Sequence, residues 1–190
     1  MALDKKSKRW FQEYMDLYKQ TIFDDLVYSK LEEIKLIFQN ASKTGNKILL
    51  FGNGGSAAMA SHCAVDLTKN AAIKAITLNE YDLITCFAND YGFENWISQA
   101  IKFYSNPGDV VVLISSSGES RNMINASDES LNMGLTLITV SGFDKNNSLS
   151  VKGEINLWVD SLSYNIVEMT HHIWLLAVVD SIIGKSEYKA

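Results

Sequence analysis

The chain has 190 residues, 47% of them hydrophobic and 21% charged, with a formal net charge of −5, which is enough apolar material for one well-filled core in a single domain. The acidic balance, with no long run of Lys or Arg, gives no electrostatic footprint for a nucleic-acid backbone or an anionic membrane, so small metabolites are the expected partners. The two cysteines, Cys63 and Cys86, sit in apolar or small-residue surroundings without CxxC spacing and read as reduced core residues of a cytoplasmic protein.

The opening stretch MALDKKSKRWFQEYMDLYKQ has basic residues but no apolar stretch of the signal-peptide kind after them, so it is expected to stay on the mature chain. Residues Trp10, Phe11, Tyr14, Met15 and Tyr18, then Leu31, Ile34, Ile37 and Phe38, recur at helical spacing and predict a helical hairpin over residues 1–44. Thr44-Gly45-Asn46 stops it, and KILLFG follows as a short buried strand that breaks into Asn53-Gly54-Gly55-Ser56. A helix through about Lys69 comes next. AAIKAITL reads as a second strand, DLITCFANDYG and NWISQAIKFY as helices, and Asn106-Pro107-Gly108 as a turn. DVVVLIS is a third strand, SSSGES a small-residue loop, and RNMINASDESLNMG a helix closed by Gly134. LTLITVSG and EINLWVD complete a set of about five strands. The last helix, Ser163 to Ile183, is apolar all round in its middle and wants burial on every side. Its longest apolar run, Ile173 to Val179, falls short of the ~20 residues that span a bilayer, so no membrane span is expected.

Strands rich in Val, Ile and Leu that alternate with helices predict an α/β fold, a three-layer doubly wound five-stranded parallel sheet over residues 45–190 behind the hairpin, all within one domain of residues 1–190. The hairpin and the last helix carry more apolar surface than one small domain covers, which predicts a homo-oligomer. Met59, Met123 and Met133 are assigned to packing, and Trp10, Trp96, Trp158 and Trp174 to core or interface.

Two loops carry the chemistry. Each leaves a buried strand and opens a helix, the place where open α/β sheets bind ligands. Gly54 and Gly55 let backbone amides approach a ligand closely, and the helix that starts near Ser56 offers unpaired N–H groups to an anion. Alone, that loop suits a tight turn with Ser56 as N-cap equally well. In the second loop Ser115, Ser116, Ser117 and Ser120 surround Gly118. A turn needs one serine, and four hydroxyls at a helix amino end make a phosphate cradle without Lys or Arg.

GNGGSAA, ANDYG some thirty residues on, and SSSGES after a later strand together resemble the phosphoheptose isomerases, SIS-domain enzymes with a flavodoxin-like core that act on sedoheptulose 7-phosphate. The resemblance runs from about Asn46 to Ile183 and fits the hairpin before it. It implies that Asn53, Gly54, Gly55 and Ser56 contact the substrate, that Asn89 and Asp90 border the sugar, and that Ser115, Ser116, Ser117 and Ser120 hold the phosphate. It also implies a homotetramer with shared sites, working on a phosphorylated sugar in surface-polysaccharide biosynthesis. In the family a His-x-x-x-Glu pair after the first loop, with a Gln and a His eight residues apart on the last helix, supplies zinc ligands, acid and base. This chain has His62 and Asp66 at the first pair but Val167 and Leu175 at the second. Asp66 is the candidate base, His62 its partner or a zinc ligand with Asp66, and His172 a second acid. Glu168 and His171 lie within a turn of the altered positions and can also supply the missing group. His62 and Asp66 equally suit an ordinary i,i+4 polar pair. Two further functions stay open: an isomerase of another sugar phosphate, and a non-catalytic phosphosugar-binding or regulatory protein like the DnaA initiator-associating protein of the superfamily.

Overall fold

The computed structural model describes residues 4–187. Helices and strands alternate along it as α1 (Lys5–Ile22), α2 (Asp25–Lys43), β1 (Ile48–Gly52), α3 (Gly55–Lys69), β2 (Ala75–Ile76), α4 (Tyr81–Tyr91), α5 (Trp96–Tyr104), β3 (Val110–Ser115), α6 (Arg121–Asn132), β4 (Thr136–Ser141), β5 (Ile155–Trp158) and α7 (Tyr164–Ile183). All neighbouring strands pair in parallel, in the order β2-β1-β3-β4-β5. This is the doubly wound α/β fold expected, with the helical hairpin ahead of it.

Alternation along the strands divides the core into two layers. Ile48 and Leu50 of β1 and Val110, Val112 and Ile114 of β3 pack with α2, α3 and α7. Leu49, Phe51, Val111 and Leu113 point the other way, onto Trp96, Ile97 and Ile101 of α5 and Met123 and Ala126 of α6. Each side chain of this kind contributes about 1.5–3 kcal/mol on burial. The Asp4 carboxylate accepts from the N–H groups of Lys6 and Ser7 and so starts α1. That helix docks on α7, where the Thr21 and Thr170 hydroxyls meet at 2.9 Å and the Trp174 indole donates to the Ile22 carbonyl at 3.1 Å.

Several expectations are corrected. The second strand is two residues long, because Ala71 and Ile73 donate back to the Asp66 and Leu67 carbonyls at the end of α3, and Thr68 Oγ1 binds the Ala75 backbone. Cys63 is buried but Cys86 is exposed on the open flank of α4. Burial, with Asp66 adding to it, pushes the Cys63 thiol up to about 12, so it is inert at neutral pH. Met59 and Met123 are buried, whereas Met133 lies partly open at the end of α6. Trp96 and Trp174 are core residues and Trp10 is exposed. By length and composition alone α7 can cross a bilayer, yet Ile166, Val167, Trp174, Leu175, Val178 and Val179 are buried inside the protein. Burial is one-sided, since Met169 and Ile173 lie on the flank turned away from the sheet and are exposed.

At the amino ends of the strands Asp109 is buried. It accepts from the N–H groups of Asn106 at 2.7 Å and Lys47 at 2.9 Å and pairs with the Lys47 ammonium. Burial works to raise its pKa, but these donors outweigh it and hold the carboxyl below its ordinary value. Replacement Asp109→Ala strands the Lys47 charge and two backbone donors, and is expected to cost about 3 kcal/mol in urea denaturation. An unchanged midpoint would refute the assignment.

Candidate active site

β1 and β3 are neighbours in the sheet, and their exits lead into α3 and α6 on opposite layers. A crevice opens between two such exits, and both candidate loops lie in it. A Cβ on Gly52 would lie 2.4 Å from the Ser56 carbonyl carbon, and Gly54 has φ +53°, so the chain turns from strand to helix more tightly than a side chain permits. The amides of Asn53 and Asn122 bond each other reciprocally at 3.0 and 2.9 Å and tie the two loops together.

The crevice ends in a cleft of about 100 Å³ lined by Asn53, Ser56, Ser115, Ser116, Ser117 and Ser120, with Tyr164 and Glu168 of α7 on its far wall. Wider hollows of about 620 Å³ along α1 and about 560 Å³ beside α4 hold no residue of either candidate loop. The Ser115 hydroxyl donates to Ser120 Oγ at 3.4 Å, but three other hydroxyl donors in the cleft are uncommitted. Ser116 Oγ is buried with no partner among the described residues, and Ser120 sits at the N-cap of α6 without bonding its backbone. Ser117 Oγ accepts from the Glu119 N–H at 3.2 Å, which leaves its own proton free. A buried hydroxyl without a partner costs about 1–3 kcal/mol, a cost that a bound phosphate oxygen removes. The Glu168 carboxylate lies against Gly55, where a Cβ would fall 2.4 Å from Oε2. Asn53, Gly54, Gly55, Ser56 and the four serines are thus brought together. Asn89 and Asp90 are not: they lie on exposed α4, with the Asp90 carboxylate taking the Asn89 amide at 2.8 Å and the Cys86 thiol at 3.7 Å.

A second cluster forms farther along the same two helices. His62 Nε2 faces Asp66 Oδ2 at 3.4 Å, and His62 Nδ1 meets His172 Nε2 at 2.9 Å. Asp66 Oδ1 also accepts from the Asn70 amide at 3.0 Å. With His62 protonated at Nε2, His172 donates into His62 Nδ1 and keeps its own Nδ1 as a free base. Burial foremost, then repulsion from His62, lowers the His172 pKa, and Asp66 works against both. His172, not His171, is therefore the histidine that joins the pair on α3. His171 is fully buried, with Nε2 on the Ser141 carbonyl at 2.9 Å and Nδ1 unpartnered among the described residues. Tyr164 and Asn122 escaped the sequence reading. A tyrosine in a helix's first turn and an asparagine just past a loop carry no local signal, and only the sheet order brings them to the crevice.

The four-ligand zinc site implied by the family resemblance does not fit these residues. Val167 and Leu175 are fully buried hydrocarbon in the core, and Val167 packs on Gly142, where a Cβ would lie 2.6 Å from its Cγ1. The two nitrogens of His62 face different protein partners on opposite edges of the ring. Among the described residues no three His, Cys, Asp or Glu side chains converge as a metal site.

Comparison with known proteins agrees with the fold. The family model described as SIS domain matches residues 9–142. A phosphoheptose isomerase of Aquifex aeolicus is 35% identical over 144 residues, 73% of this chain and 74% of that protein. Another, from Colwellia psychrerythraea, is 30% identical over 171 residues, 86% and 87% of the two chains. The solved structure of a phosphoheptose isomerase from Neisseria gonorrhoeae superposes with a TM-score of 0.85 at 26% identity, covering 95% of this chain and 99% of that one.

His171 gives the fold a pH dependence. Burial lowers its pKa from 6.5 to about 4. The unfolded chain therefore takes up its proton first, and the stability held above pH 6.5 is lost as pH falls towards 4. At 1.36 kcal/mol per unit the loss is about 3 kcal/mol. Urea midpoints measured across this window should fall in the wild type and fall less steeply in His171→Gln; parallel slopes would contradict the assignment.

Proposed function

The chain belongs to the SIS-domain family and, within it, to the phosphoheptose isomerases, and from that premise we propose that it converts sedoheptulose 7-phosphate to D-glycero-D-manno-heptose 7-phosphate, a step towards activated heptose for surface polysaccharide. The observation that carries the reading is the pairing of two loops at the β1/β3 crevice. Uncommitted hydroxyl protons of Ser116, Ser117 and Ser120 and the amino ends of α3 and α6 converge there on a small cleft of about 100 Å³.

The isomerisation moves one proton between neighbouring carbons. A base takes a proton from C1 of the ketose, and the electron pair forms the C1–C2 double bond as the C2 carbonyl becomes an enediolate. Protonation at C2 and passage of the O1 proton to O2 then give the aldehyde at C1 and a hydroxyl at C2. Asp66 is the proposed base. His62 orients Asp66 through its Nε2–H, and His172, through its open Nδ1, is the proposed group that takes the O1 proton and, as second acid, returns it to O2. No zinc is assigned to these steps, because the donor set described above does not fit it. Asn89 and Asp90 are proposed to meet sugar only where a neighbouring subunit brings α4 to a site, as in a homotetramer. Exposed apolar residues of α1 and α7, among them Trp10, Phe11, Met15 and Ile173, favour that assembly. The proposed place of work is the cytoplasm.

Burial of Val167 and Leu175 favours a second reading, in which the same cradle binds a sugar phosphate for an isomerase of other specificity or for a non-catalytic sensor. Asp66→Asn separates the two. General base catalysis supplies about 10²–10⁴-fold, so turnover of sedoheptulose 7-phosphate should fall by about that factor while its binding changes little. Retained turnover would remove Asp66 from the mechanism, and wild-type binding without turnover would move the weight to the second reading. Wild-type activity is expected to survive EDTA. Loss on chelation with recovery on added zinc would overturn the metal-free assignment.

A further inference from the structure

The serine loop carries bonds of its own, among them the Gly118 N–H to the Ser115 carbonyl at 3.1 Å and the Glu119 N–H to Ser117 Oγ at 3.2 Å. It is also gripped from outside by the connection between β4 and β5. The Gly142 N–H donates to the Ser116 carbonyl at 3.0 Å, and the Leu149 N–H donates to the Gly118 carbonyl at 3.0 Å. Asn147 is buried beneath the loop. Its amide donates to the Asp144 carbonyl at 2.7 Å and to Ser141 Oγ at 3.1 Å, and accepts from the Ser150 N–H at 2.9 Å. Gly118, at φ +67°, lies so close to Asn147 Oδ1 that a Cβ would fall 1.8 Å from it. Glu119, the single charged residue of the loop, is exposed and accepts at both carboxylate oxygens from one residue of that connection: Ser148 N–H at 2.7 Å and Ser148 Oγ at 2.8 Å.

We propose that the β4–β5 connection is a clamp that sets the affinity of the serine loop for phosphate, with Glu119 and Asn147 as positioning residues. The inference rests on the assignment of the serine loop to phosphate given above. A loop of small residues binds an anion well only if its amides and hydroxyls are ordered beforehand, since otherwise ordering them consumes binding energy. The clamp supplies that order. It also solves an electrostatic problem internal to the loop. A free carboxylate beside a phosphate dianion repels it, and the two donors of Ser148 keep Glu119 turned away from the cleft.

Removal of the carboxylate has two opposed consequences, loss of the clamp and loss of a repelling charge, so two variants are needed. Glu119→Gln discards the charge but keeps an oxygen for Ser148. Glu119→Ala discards both. Isothermal titration with sedoheptulose 7-phosphate should give a Kd for Glu119→Ala at least fivefold weaker than for Glu119→Gln. KM should rise in parallel, kcat should stay within twofold of wild type, and melting temperature should be nearly unchanged. If the two variants bind alike, or if Glu119→Ala binds more tightly than wild type, the clamp is wrong and the charge alone matters. A wild type that binds no sugar phosphate, or binds it no better than Ser120→Ala, overturns the assignment of the loop itself and the clamp with it.

Discussion

The site depends on one topological constraint, the adjacency of β1 and β3 in a sheet whose order reverses between them. β1 feeds α3 on one layer and β3 feeds α6 on the other, so the first turns of two helices part and leave a crevice at the carboxyl ends of the strands. Each first turn brings unpaired N–H groups with partial positive charge. An acidic chain can therefore hold a phosphate without a cationic side chain, provided the loops consist of residues small enough to let backbone approach ligand. The Asn53–Asn122 amide pair fixes the distance between the two loops, and buried Asp109, paired with the half-buried Lys47, secures the opposite ends of the strands that carry them.

α7 links this cradle to the His62–Asp66 cluster proposed for proton transfer. Tyr164 and Glu168 stand at the cleft, and His172, one turn beyond Glu168, reaches His62 on α3. The face between those positions is hydrocarbon, with Val167 and Leu175 inside the core. Apolar side chains at these two positions pack α7 against the sheet and leave His172 on the helix flank, where it reaches His62, while His171 is enclosed. Two adjacent histidines thus have opposite fates. One ring is kept neutral by burial, against the pull of the Ser141 carbonyl it bonds, and the other lies in the cluster with His62 and Asp66.

Much of this was legible in the chain. Runs such as KILLFG and DVVVLIS admit little but buried parallel strands, and glycine and serine at their ends mark loops where backbone must approach something. His62 and Asp66, four residues apart on a helix, had to share a face. Other features depend on distant partners and leave no local trace. The second strand shrank to Ala75–Ile76 because Thr68 and the end of α3 claim its neighbours. Cys86 has an apolar sequence context yet lies on the open flank of α4. The choice between His171 and His172 turns on a rotation of about 100° around one helix, which no pattern in the segment fixes. The grip of Asn147 and Ser148 on the serine loop joins segments that only the order of β3 and β4 brings together.

The central claim is a proton transfer between C1 and C2 of a phosphorylated ketose held in this crevice. Incubation of the purified protein with sedoheptulose 7-phosphate in D₂O, followed by NMR, tests it most directly. An aldose heptose 7-phosphate is expected, with deuterium at C2 in the share of turnovers in which the proton on the base exchanges with solvent before it is returned. Sugar phosphate that stays bound as unlabelled ketose after prolonged incubation would contradict the claim.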